Sequence, residues 1–198
     1  MGYRKGGTFP VLLARDGRRS IRHLGDGCFI KLRLRQRQKG EKYPLADAML
    51  DLFTDPDAVE SVYATFNYAR RMFGPCVDEW TVDVSSDLNS FPLAINGVRG
   101  DSFSLALLFQ IVARCNDAEW PDGVFVTGAV RRGRGFRCVS VGQAVAKYRW
   151  LELYGYGQFL LPQRNYWQLG RAGFERDRCI ALPPNLEECI ELWTRCLV

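Results

Sequence analysis

The chain has 198 residues, a formal charge of +5 and a composition that is 47% hydrophobic and 25% charged. That profile suits one packed globular domain, or one with a small appendage, and argues against an unfolded or fibrous chain. No apolar stretch reaches the length of a bilayer span, and the apolar run near the start, PVLLA, is too short for a signal peptide.

In chain order, FPVLLARD (9–16) predicts a first strand turned by Gly17. In the next segment, Lys31 to Arg35 alternate basic and apolar side chains, which predicts a half-buried strand with Leu32 and Leu34 on one face. A helix follows. Asp55 is its cap, Pro56 its first residue and Gly74 its stop, and Val59, Val62, Phe66, Ala69 and Phe73 recur at helical spacing. WTVDVSS (80–86) predicts a strand, and SFSLALLFQIVARC (102–115) is apolar almost all round, as a buried helix is.

VFVTGAV (124–130) predicts a strand, followed by a Gly- and Arg-rich hairpin and a short strand, FRCVSV. A helix is expected from about Gln143 to Tyr154, then the strand QFLLP (158–162). After Pro183-Pro184, Asn185 can cap a closing helix with Leu186, Ile190, Trp193 and Leu197 on one stripe. Short strands mixed with about four helices make the fold class α+β. Residues 1–182 are expected to form the domain, and 183–198 a C-terminal helix packed on it or on a partner.

The seven cysteines include no C-x-x-C pair and are odd in number, so neither a zinc module nor a disulfide framework is indicated. A reducing, cytoplasmic setting is expected, with no metal and no cofactor. Basic clusters at 30–39 and 131–137 are accounted for by solvated strand and loop faces. No RNA-recognition, zinc or helix-turn-helix pattern supports a nucleic-acid partner.

G-D-S-F-S (100–104) places serines at the head of an apolar helix, where unpaired amides and the helix dipole can hold an oxyanion. Taken alone, the same stretch is an ordinary helix cap. The single histidine, His23, lies in a polar turn, so nothing favours a Ser-His-Asp arrangement, and no S-x-x-K occurs. Lys147 follows a glycine turn among Val141, Ala144, Val145 and Ala146, where burial and the helix start disfavour its charge. A lysine so placed can act as a base.

The order of these motifs resembles the proteolytic domain of Lon proteases, in particular the archaeal membrane type. The series is G-D-S-x-S, then Thr127-Gly128, then V-G-x-x-x-x-K (Val141 to Lys147), then L-P-x-x-N (Leu161, Pro162, Asn165). The similarity runs from about residue 9 to residue 170. It implies a compact mixed sheet like the second domain of ribosomal protein S5 and a serine endopeptidase with a Ser-Lys dyad. Ser102 matches the nucleophile and Lys147 the general base; Thr127 matches a residue that orients the lysine, and Asp101 a supporting residue. Ser104 matches the second serine of the motif and is not the nucleophile.

The resemblance further implies a protein or peptide substrate and a homo-oligomer. Phe103 stands where the family has a small residue, which would narrow the site, and Gln143 stands where it has glycine. Family members usually carry an ATPase module, whereas this sequence has no G-x-x-x-x-G-K-[ST] loop, so a separate ATPase or regulatory partner is an expectation. The other reading is a catalytically quiet Lon-like module that binds a partner inside a larger complex.

Overall fold

The computed structural model describes residues 7–14, 27–41, 43–44, 55–84, 100–154 and 157–197. His23 lies outside them, as do residues 85–86 of the third expected strand. Strands β1 (Gly7–Ala14), β2 (Gly27–Gln36) and β3 (Trp80–Val84) form an antiparallel sheet in chain order. Leu32 and Leu34 of β2 are buried while Lys31 is exposed, as the alternation requires. Arg35, on the other face, is bonded to Glu41 and Asp83.

Helix α1 (Pro56–Phe73) begins where Asp55 accepts the Asp57 N–H at 3.0 Å and ends at Gly74, whose φ of 79° suits glycine. Val62, Phe66 and Ala69 are fully buried, and Val59 and Phe73 partly so. A short 3-10 turn (Pro75–Glu79) leads into β3.

Helix α2 (Ser104–Cys115) is buried from Ser104 to Ala113 and runs through the main core. Its first residue is Ser104, not Ser102; Asp101, Ser102 and Phe103 make a turn in front of it.

The stretch 124–130 is two strands rather than one. β4 (Val124–Val126) lies parallel to β7 (Gln158–Pro162), which in turn lies parallel to β8 (Cys179–Leu182). β5 (Ala129–Arg132) leaves that sheet and pairs with β6 (Phe136–Val139) as a hairpin. The break falls at Gly128, whose φ is 149°. A Cβ there would stand 2.7 Å from the Leu105 side chain and 3.1 Å from Pro162, so this corner requires glycine.

Helix α3 (Ala144–Tyr154) carries Lys147. Helix α4 (Gln163–Arg171), absent from the expected elements, follows β7 directly, and α5 (Leu186–Cys196) closes the described chain. Trp193 of α5 stacks on Phe109 of α2 at 4.9 Å and donates to the Phe109 carbonyl at 2.9 Å, which docks α5 on the core.

The architecture is mixed α+β. Among the described residues there are five α-helices rather than four, and three small sheets rather than one mixed sheet. The extra helix eluded periodicity because only Asn165 and Leu169 of its nine residues are buried. No helix among the described residues is long and apolar enough to cross a membrane.

Candidate active site

The turn ahead of α2 is held from three sides. Gly100, at a φ of 80°, donates its N–H to Asp55 Oδ2 at 2.8 Å, so the carboxylate that caps α1 also anchors this turn. The Ser102 carbonyl accepts from Gly128 N–H at 3.0 Å and from Thr127 Oγ1 at 3.3 Å. The Asp101 carbonyl accepts from the N–H of Ser104 at 3.0 Å and from its hydroxyl at 2.9 Å. The Ser104 oxygen in turn accepts from Val130 N–H at 2.8 Å. Ser104 is thus a buried structural link between α2 and β5, with its hydroxyl engaged both as donor and as acceptor.

Lys147 reaches this turn from α3. Its backbone N–H bonds to the Gln143 carbonyl at 3.1 Å, so it sits one turn inside the helix. Gln143 has a φ of 60°, the left-handed region that costs a side-chain-bearing residue roughly 1–2 kcal/mol. The entry to α3 is clamped by Asn165, fully buried on α4. It accepts from Val141 N–H and donates to the Val141 carbonyl, both at 2.9 Å, and donates to Gln168 at 2.7 Å.

The lysine side chain is 3% exposed. Its Nζ lies 2.7 Å from Ser102 Oγ and 3.0 Å from Thr127 Oγ1. Removal from water pushes its pKa from 10.5 down to about 7, against an opposing pull from the Asp101 carboxylate. That carboxylate is itself held by Arg131, whose Nε and Nη2 lie 2.7 Å and 2.6 Å from Asp101 Oδ2. Part of its field at the lysine is thereby cancelled.

Comparison with protein-family models and with curated proteins finds no match to the chain.

Ser102, Thr127 and Lys147 therefore meet at hydrogen-bond distance, and Asp101 adjoins them through charge rather than contact. The Phe103 ring is 1% exposed and belongs to the main core cluster, so it packs inward rather than standing exposed beside Ser102. Ser102 is half-buried.

The Asp101 and Ser102 N–H groups bond to no carbonyl among the described residues. No group of three or more His, Cys, Asp or Glu among the described residues is placed to hold a metal.

Two residues matter here beyond those singled out by motif. Asp55 reads from sequence as a helix cap, and nothing local announces its second bond to Gly100. Arg131 belongs to a basic run, and its pairing with Asp101 spans 30 residues. Both links are tertiary.

Proposed function

We propose that the chain is a Lon-like serine endopeptidase that hydrolyses peptide bonds through a Ser102–Lys147 dyad and an acyl-enzyme intermediate. The reading includes the Lon-type fold. The observation that carries it is the buried Lys147 amine, 2.7 Å from Ser102 Oγ and with its pKa pushed down to about 7. A solvated lysine is protonated at neutral pH and cannot accept a proton; this one is neutral in a large fraction of molecules.

In the neutral state the Ser102 hydroxyl donates to Nζ. As Oγ attacks the substrate carbonyl carbon, its proton passes to Nζ, and the carbonyl oxygen becomes an oxyanion facing the Asp101 and Ser102 amides. Collapse of the tetrahedral species breaks the C–N bond, and the Lys147 ammonium returns the proton to the departing amine. A water molecule then attacks the acyl ester, again with Lys147 as base. Thr127 Oγ1 accepts from the ammonium and donates to the Ser102 carbonyl, which holds both partners in register.

The test is digestion of an unfolded protein such as casein by wild type, Ser102→Ala and Lys147→Ala, followed by mass spectrometry across pH. Cleavage lost in both variants, with a rate that rises through a midpoint near about 7, is the expected result. Cleavage that survives Ser102→Ala refutes the nucleophile. No cleavage by wild type, together with no labelling of Ser102 by a serine-reactive fluorophosphonate, turns the reading to the quiet binding module.

A further inference from the structure

We propose that the groove along the outer side of β6 is a docking site for an extended, acidic segment of polypeptide. Two depressions, of about 780 and 700 Å³, meet at Pro184 and follow the consecutive residues 135–140. Arg71 and Arg137 line the first, Arg164 and Arg171 the second. None of the four has a carboxylate partner among the described residues, whereas Arg35, Arg70 and Arg131 are all ion-paired. Glu187 is the one acid in the combined lining.

The cations are ordered by the fold. The Arg71 guanidinium lies 5.0 Å over the Phe136 ring, which positions it without neutralising it. Arg164, Trp167 and Arg171 fall at i, i+3 and i+7 on α4, and the Trp167 side chain between the two arginines is 54% exposed. The two arginines are separated by about 10 Å of helix, the span of about three residues of extended peptide.

Docking here runs through side chains. At the middle of β6 the Cys138 N–H is already bonded to the Pro184 carbonyl at 2.9 Å, so the strand edge is not free to add a strand there. Met72, Phe136 and Trp167 give the groove apolar ground between its charges, which suits a peptide that alternates carboxylates with apolar residues.

Pro162 lines the groove and also abuts the Gly128 corner beside the candidate dyad. Delivery of a held segment from there to Ser102 would rest on the peptidase reading; the docking itself does not.

Binding is measured by fluorescence anisotropy with a labelled peptide of alternating glutamate and leucine, its lysine counterpart and a single-stranded RNA. Wild type, Ser102→Ala and the double variant Arg164→Glu/Arg171→Glu are compared. The glutamate peptide is expected to bind wild type and Ser102→Ala equally, at least about tenfold tighter than the lysine peptide, and to weaken as salt is raised. The double variant, whose changes are at exposed positions, is expected to lose about tenfold or more while keeping its melting temperature.

Equal binding of the two peptides, no binding of the glutamate peptide, or an unaffected double variant overturns the proposal. So does RNA that outcompetes the glutamate peptide. Because the readout is binding to a serine-less variant as well, failure of the groove and failure of the dyad are separate results.

Discussion

Replacing Lys147 by methionine, an unbranched side chain one atom shorter and without the amine, isolates the cost of burying the charge. The gap between 10.5 and about 7 corresponds to about 5 kcal/mol at ~1.36 kcal/mol per pH unit. The native pKa is depressed, so between about pH 7 and pH 10.5 the unfolded chain binds a proton that the native chain does not. Wild-type stability therefore rises with pH across that window through this group and levels off below about 7, where both states are protonated.

Lys147→Met has no such group. Its stability minus that of wild type is expected to be most favourable at pH 7 and below. It then falls by about 1.4 kcal/mol per pH unit above pH 7. Urea unfolding of both proteins at about pH 7.5 and 9.5 should show their midpoints converging by about 1–3 M, for m-values of about 1–3 kcal/mol/M. Taking the difference removes contributions shared by both proteins, such as those of the buried cysteines and tyrosines. A difference that stays constant with pH refutes the claim that the lysine is buried and depressed, and with it the source of its basicity.

Three further outcomes follow from the same geometry. On the peptidase reading, Arg131→Gln leaves the Asp101 carboxylate uncompensated beside Lys147, so the midpoint of the pH–rate profile should move up by about one pH unit; an unmoved midpoint would separate Asp101 from the proposed dyad. Gln143→Gly removes a side chain from a left-handed φ of 60° and should raise unfolding stability by about 0.5–1 kcal/mol after the entropy of glycine is charged. Trp193→Ala empties a fully buried site on the α2 side of α5, and thermal or urea melts should show a loss of about 3–5 kcal/mol.

What the sequence makes legible is local. The limits of α1 follow from Asp55, Pro56 and Gly74, since capping and breaking are decided by neighbouring residues. The burial of Leu32 and Leu34 follows from alternation, and α5 from Asn185 and its apolar stripe. Helix α4 and strand β8 are short and packed by few residues, so no periodic signal marks them.

The split at Thr127-Gly128 is invisible for another reason. VFVTGAV is a continuous apolar run, and only the Leu105 and Pro162 side chains, brought there by other elements, require the corner. Within the site, the order of motifs nominates Ser102, Thr127 and Lys147. The approach of an amine to a hydroxyl 45 residues away is a property of packing, and so is the inward turn of Phe103.

Asp55 belongs to two segments at once, with one oxygen on the first turn of α1 and the other on Gly100. Fraying of the helix start and loosening of the turn that carries Ser102 thus share a single latch. In hydrogen exchange, the Asp57 and Gly100 amides should open together at one rate. Asp55→Ala should release both while the rest of α1 keeps its protection, so the mobility of the turn that carries Ser102 would be set at a helix end 45 residues before Gly100.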